Sequence, residues 1–365
     1  MTMPSTAGQN DTPEPQHTTP PTEFDTRGAA GNGPSRRSVL AATAGAGTTA
    51  LAATTTLATP AAAAQKEPAK GHGATARTPH ESMTWTTLGT ASGPIPDAHR
   101  AQPAHLLRTA NAYVLVDAGD GVVDQIAKAG IALEDVRTVF LSHLHIDHTG
   151  GLWALIGRRF QLADPGTLVI YGPAGTRRTV DGILAGQQPL HDLAQGRGST
   201  QEVIEIDPEN TIEVDGVKVR ATINTHYGPA DSVRATASPS LSYRFESARR
   251  TIVFTGDTGP STAVEHLAQG ADLLVSEIID VEDALRQLIA GRPDLTSEQL
   301  AGIRAHFEQE HLTADQVGLL ARRAAVGSLA LTHIGMSDGA VPDARRSIRR
   351  HFKGPTTFAR DLDSF

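Results

Sequence analysis

The 365-residue chain contains no cysteine. That excludes a disulfide framework, a thiolate metal site, a cysteine nucleophile and an iron–sulfur cluster. Any metal must therefore sit on histidine and carboxylate, and 15 histidines are available for it. Aromatic residues make up only 4%, which leaves few stacking platforms for single strands. The formal net charge of -8 argues against an extended nucleic-acid surface. No Gly-x-Ser-x-Gly elbow is present, so a serine nucleophile of that type is not expected. What remains is a chain long enough for one large or two ordinary domains, at about 150 residues each, and for a substantial core.

Residues 1–34, rich in Pro, Thr, Gly and Ser with little to bury, read as disordered. Ser35-Arg36-Arg37-Ser38-Val39-Leu40 then opens a mildly apolar Ala/Thr/Gly/Leu run that ends in Ala61-Ala62-Ala63-Ala64. A basic start, an apolar middle and small residues at the end make a signal peptide over 35–64, and the paired arginines read as a twin-arginine signal. Leu and Ile are too sparse there for a stable membrane span. Residues 65–82 read as a linker. The expectation is an exported protein, extracellular or in the cell envelope.

From residue 83 to 365 the pattern is that of one alternating α/β domain. Strands are expected at Met83–Leu88, Tyr113–Asp117, Thr138–Ser142, Leu168–Tyr171, Lys218–Ile223, Ser240–Phe245, Thr251–Thr255, Leu273–Ser276 and Leu329–Thr332. Asp215-Gly216 marks a hairpin turn. Helices are expected at Val122–Ala129, Gly175–Ala185, Val264–Gly270, Thr313–Ala325 and Pro342–Phe352. The polar, helical stretch 281–310 separates two strand signals and reads as an inserted cap.

The chemistry concentrates in Ser142-His143-Leu144-His145-Ile146-Asp147-His148-Thr149-Gly150-Gly151, after the apolar run Thr138-Val139-Phe140-Leu141. If the extended geometry continues, His143 and His145 share a face, and the loop turns Asp147 and His148 toward a second point. Gly150-Gly151 lets the chain bend into a following helix. Four ligand-type side chains in six residues suit Zn²⁺, Fe or Mn²⁺.

This motif resembles that of the metallo-β-lactamase superfamily. The resemblance implies a four-layered αββα sandwich, with a one- or two-metal site at one edge of the paired sheets. It further implies that Asp117, in Asp117-Ala118-Gly119-Asp120-Gly121, orients the ligand loop; that His226 is the next ligand; that Asp257, in Thr255-Gly256-Asp257-Thr258-Gly259, bridges two metals; and that His333 is the last ligand. One set would be His143, His145, His226 and Asp257, the other Asp147, His148, Asp257 and His333. The implied cofactors are two Zn²⁺, with Mn²⁺ or Fe as alternatives. Asp147 is also expected to orient the nucleophilic water or accept its proton.

Within the superfamily the likeness is to the ribonuclease Z and arylsulfatase-like branch. It is carried by Val169 to Thr176, Ser240 to Phe245, Thr251 to Gly259 and His311-Leu312-Thr313-Ala314-Asp315. By resemblance His311 serves the leaving group, and Glu277 orients it. Ser276-Glu277-Ile278 stands where ribonuclease Z usually has His-Glu-Ala, and the chain between Gly175 and Val203 has no pronounced basic cluster where the relatives carry a tRNA-gripping arm. These departures and the export signal argue against transfer-RNA maturation. The expected activity is metal-dependent hydrolysis of a small ester, a phosphodiester or an aryl sulfate. A lactonase or β-lactamase-type hydrolase, genuine ribonuclease Z and a catalytically silent metal-binding protein are the alternatives. Relatives in this branch are often dimers, so the resemblance admits a homodimer.

Overall fold

The computed structural model describes residues 83–193, 198–208, 210–229, 232 and 237–365. The expected disordered segment, signal peptide and linker lie outside the described residues.

Six strands form a first sheet in chain order: β1 (Thr84–Gly89), β2 (Ala104–Arg108), β3 (Tyr113–Ala118), β4 (Val136–Phe140), β5 (Thr167–Gly172) and β6 (Thr200–Glu205). The first three pair antiparallel and the rest parallel. A second sheet runs from β7 (Thr211–Val214) through β8 (Val217–Ile223), β9 (Leu241–Glu246), β10 (Thr251–Phe254), β11 (Leu273–Ile279) and β12 (Leu329–Gly335) to β13 (Thr356–Phe358). It is antiparallel from β7 to β10 and parallel from β10 to β13.

Strand alternation sorts the apolar residues into three layers of core. Trp85, Leu107, Val116 and Phe140 meet Tyr243, Phe245, Phe254 and Val275 between the sheets. Their sequence neighbours Leu106, Leu115 and Val139 point outward, onto Ile126, Leu155 and Val180 of the helices Val122–Lys128, Leu152–Gln161 and Thr176–Leu193. Likewise Val253, Leu274 and Leu331 face Val264, Val317 and Ile348 of Thr262–Leu267, Ala314–Arg323 and Val341–His351. The order is helices, sheet, sheet, helices, the four-layered αββα sandwich.

Four differences from the sequence reading have physical causes. β2 (Ala-His-Leu-Leu-Arg) was not expected; its first four residues are all buried, and such a run carries no alternation. β6 is a mostly polar edge strand, paired only with β5. β4 ends at Phe140, two residues before its expected end, so His143 and His145 do not share a strand face. The stretch 281–310 is two helices, Val281–Gly291 and Ser297–Glu310, broken around Pro293. Among the described residues no helix is long and apolar enough to cross a membrane.

Candidate metal centre

The seven expected ligands converge from four chain segments at one edge of the paired sheets. His143, His145, Asp147 and His148 come from the loop and short helix (Ile146–Thr149) after β4. His226 lies in the turn three residues beyond the end of β8, Asp257 in the turn after β10, and His333 inside β12. His143 and His145 meet because the loop folds, with His145 capping the short helix, rather than through strand alternation.

Two backbone features aim these side chains. His333 has φ 44° and Asp117 φ 59°, left-handed values that few non-glycine residues adopt. Around His333 the register of β11 on β12 slips: Ser276 pairs Leu331 but Ile278 pairs Ile334, so Glu277 faces two residues, Thr332 and His333. Such bulges re-aim side chains at site edges. Gly256, at φ 57°, has to be glycine, since a Cβ there would sit 2.8 Å from the Leu241 carbonyl oxygen.

In the first set, Nδ1 of His145 lies 3.1 Å from Nε2 of His143 and 3.1 Å from Nε2 of His226. Their outer nitrogens are already engaged. His143 Nδ1 donates to Ser142 Oγ at 3.0 Å, and His226 Nδ1 to the Glu310 carbonyl at 3.1 Å. Those bonds leave both Nε2 lone pairs aimed at a common point. Burial, reinforced by the neighbouring histidines, lowers His143 and His226 well below the usual imidazole range despite Asp257, and burial also lowers His145. The three are neutral donors.

In the second set, His148 Nε2 lies 3.3 Å from Asp257 Oδ2 and 3.4 Å from Asp147 Oδ2; His333 Nε2 lies 3.1 and 3.5 Å from the same atoms. Both Nε2 atoms are buried and make no aligned hydrogen bond. Burial opposes charge on both imidazoles, but Asp257 and Asp147 overcome it, raising His148 far above its ordinary value and His333 to about 10. The carboxyls respond in kind. Burial pushes them up, but His148 and His333 hold Asp147 and Asp257 below the usual carboxylate range.

This donor set fits divalent cations. Tetrahedral ligands at about 2.0–2.1 Å from zinc stand roughly 3.3 Å from one another. The separations among the three histidines of the first set and between histidine and aspartate in the second, 3.1 to 3.5 Å, bracket that value. They are too long for most of the carboxylate–imidazole pairs to be good hydrogen bonds. Zinc, manganese and iron all accept such nitrogen and oxygen donors.

Outside the ligands, Asp117 accepts from His148 Nδ1 at 2.8 Å, from the Ser142 N–H at 2.6 Å and from Ser142 Oγ at 2.8 Å. One carboxylate thus holds His148 and the start of the loop that carries His143, His145 and Asp147. Glu277 accepts from His311 Nδ1 at 2.7 Å and from the Thr258 N–H at 2.5 Å. Burial raises Glu277, whereas its carboxylate raises His311 against the burial of that ring. The ligand atoms of His311, His226 and Asp257 lie within 4.8 Å of one another.

A cavity of about 470 Å³ opens over the ligands. The helices Val281–Gly291 and Ser297–Glu310 line it with Leu288, Ile303, His306 and Phe307, and the loop before β2 contributes Ser92 to Asp97. Sequence reasoning missed this loop, although Gly93 donates its N–H to Asp147 Oδ2 at 3.2 Å. A Cβ on Gly93 would fall 2.2 Å from that oxygen. It also missed His306, which donates from Nδ1 to Glu310 Oε2 at 2.8 Å and reaches the cavity from the roof. A histidine in a polar helix carries no signal of its own.

Comparison with known proteins agrees with this geometry. The model of the family described as "Beta-lactamase superfamily domain" matches residues 112–334. Ribonuclease Z of Mycobacterium sp. (strain KMS) is 33% identical over 256 residues, 68% of this chain and 82% of that protein. Among solved structures, the metallo-beta-lactamase fold protein YhfI from Bacillus subtilis shares 21% identity at a TM-score of 0.57, covering 78% of this chain and 98% of that one. The short form of human tRNase Z shares 22% at 0.54, covering 77% and 98%. A paired-sheet sandwich, His/Asp ligand sets at its edge and these relatives lead to one assignment: the chain belongs to the beta-lactamase superfamily, as a metal-dependent hydrolase homologous to ribonuclease Z.

Proposed function

We propose that the protein hydrolyses a small ester, a phosphodiester or an aryl sulfate, with two divalent cations, most simply Zn²⁺, held by His143, His145, His226 and Asp257 and by Asp147, His148, Asp257 and His333. The observation that carries this reading is the sharing of Asp257 Oδ2. It lies 3.1 Å from His333 Nε2 and 3.3 Å from His148 Nε2, and 3.9 Å from His143 Nε2 of the other set. Such a pair of cations acidifies water toward neutrality and screens charge growing on substrate oxygens. The protein's own residues do the rest. Asp147, steadied by the Gly93 N–H, orients the attacking water and takes up its proton. Glu277 fixes the His311 ring by its Nδ1, so that Nε2 faces the ligands and can serve the leaving-group oxygen.

A second reading, maturation of transfer RNA, is favoured by the 33% identity to a ribonuclease Z. Against it stands the cavity lining, which includes Asp97, Asp147 and Asp257 but neither lysine nor arginine. A polyanion would find nothing there beyond the cations to pair its phosphates. Hydrolysis of lactones or β-lactams uses the same site, and a silent metal-binding role is the limiting alternative. Export through the twin-arginine route and a homodimeric state complete the proposal, resting on Arg36-Arg37 and on the resemblance.

The test is a panel of bis-nitrophenyl phosphate, nitrophenyl sulfate, a homoserine lactone, a chromogenic β-lactam and a precursor tRNA, with metal content measured on the same protein. Cleavage of the phosphodiester or sulfate, lost on chelation, supports the proposal. Two bound metals with turnover of tRNA alone would replace it with the second reading.

A further inference from the structure

The wall of the cavity opposite the ligands is mostly apolar, with Gln287 and His306 its polar members. Leu288, Ile303 and Phe307 project from the two roof helices, Ile95 from the loop before β2, and Ile279 and Met336 from the ends of β11 and β12. Ile95 is 48% exposed, an apolar side chain facing the opening rather than the core. Cavities of roughly 300–1,000 Å³ with apolar walls and a few convergent polar groups hold drug-sized ligands. At about 470 Å³ this one suits a single ring or short alkyl chain attached to the reacting group.

Charge sharpens the choice. Every ionisable group on the lining is a histidine or an aspartate, and Asp97 stands at the loop side, away from the ligand sets. A substrate with a second anionic group would place it against apolar side chains, against Asp97 or against His306, which is already paired with Glu310, with no lysine or arginine to accept it. Burying an unpaired charge is strongly unfavourable.

Building on the hydrolase reading above, we infer that the roof and the loop before β2 form a specificity subsite for an uncharged apolar group, so that the preferred substrate is an aryl or alkyl ester whose only charge lies at the scissile centre. Leu288 and Phe307 are its principal contacts from the roof. Oligonucleotides, and nucleotides that carry a second phosphate, are poor substrates in this scheme, because their charge continues past the scissile phosphate.

The experiment pairs turnover with binding, on the metal-loaded protein. Methyl nitrophenyl phosphate and phenyl nitrophenyl phosphate are compared by kcat/KM. Monomethyl methylphosphonate and monomethyl benzylphosphonate, monoanions without the labile aryl ester, are compared by calorimetry. Burial of one ring predicts a preference of about thirtyfold for the aryl member in both assays. It also predicts a more negative heat-capacity change on binding the benzyl compound. Leu288→Ala with Phe307→Ala reduces the ratio to below about fivefold, while Leu288→Met, which keeps the apolar volume, retains it. Equal binding of the two phosphonates, with equal turnover of the two esters, would overturn the subsite and leave the hydrolase reading standing. Selective binding of the benzyl compound without turnover of any ester would uphold the subsite and remove the hydrolase reading. Preference for a dinucleotide over phenyl nitrophenyl phosphate would overturn the subsite.

Discussion

The floor and the roof of the cavity are built on opposite principles. The floor is polar, buried and over-determined: His143, His148 and Asp117 are fully enclosed, and the outer nitrogens of His143, His148 and His226 are fixed by hydrogen bonds. The roof is apolar toward the cavity and open to solvent elsewhere; Ser297–Glu310 has no fully buried residue. The ligand-type side chains are held by buried hydrogen bonds, whereas the roof helices meet them only near their feet, where the Glu310 carbonyl accepts from His226. Under the subsite proposed above, selection of a substrate falls to the roof.

The difference can be broken most severely from the floor. Asp257→Ala removes the one carboxylate common to both ligand sets and is expected to lower kcat/KM by at least about a thousandfold, with reduced metal content measured by elemental analysis; chelation of the wild type should match it. Unchanged activity in that variant would mean that Asp257 does not join the two sets. His311→Ala is expected to lower kcat by about a hundredfold with full metal content, because it leaves the ligands in place and removes only the group facing the leaving oxygen. Asp117→Ala should weaken metal affinity by about ten- to a hundredfold in competition with a chromophoric chelator, since it frees His148 and the Ser142 loop together.

His105 sharpens the comparison through stability rather than activity. It lies under the floor between Trp85 and Phe254, ring centroids 5.3 and 5.0 Å away, and neither ring nitrogen has a hydrogen-bond partner. Burial, helped by His148 and His333, lowers its pKa to about 3. A depressed histidine stays neutral in the fold while the unfolded chain takes up a proton below about pH 6.5. Stability therefore falls as pH drops from there toward 3, by about 2 kcal/mol at pH 5. His105→Leu should flatten that part of the acid limb in denaturant titrations of the metal-free protein. The roof provides the smallest effect. Arg304→Ala removes the ion pair to Glu282 that joins its two helices, both side chains being well exposed, and should leave the denaturation midpoint nearly unchanged.

This contrast also governed what could be read from sequence. The floor was legible because its ligands cluster: four within six residues, the others each ending an apolar run, as Leu329 to Leu331 precede Thr332-His333. Local geometry was less so. Extended backbone was expected through Ser142, but β4 stops at Phe140 and a folded loop brings the histidines together. The bulge opposite Glu277 depends on pairing between distant strands and leaves no trace in either strand alone. The stretch 281–310 was recognisable as helical, and Val281, Ala284, Leu285 and Leu288 mark an apolar stripe on its first helix, but the second has too few apolar residues to announce a face. Ile303 and Phe307 acquire one only when the two helices are set over the ligands. Gly93 and His105 have their significance from neighbours 54 and 149 residues away, Asp147 and Phe254.

The way the roof is fastened has a mechanical consequence. Asp283, near the start of the first roof helix, accepts the Ser337 N–H at 2.6 Å just past β12. At the end of the second, the Glu310 carbonyl accepts from His226 and the next side chain, His311, is bound to Glu277. Both feet of the hairpin therefore stand on the ligand floor, whereas the connecting turn at its far end, where Arg292 pairs only with nearby Asp294, is exposed. The hairpin is thus held at its feet and free at its tip, so amide hydrogen exchange is expected to be fastest at 292–296 and slowest at 310–312.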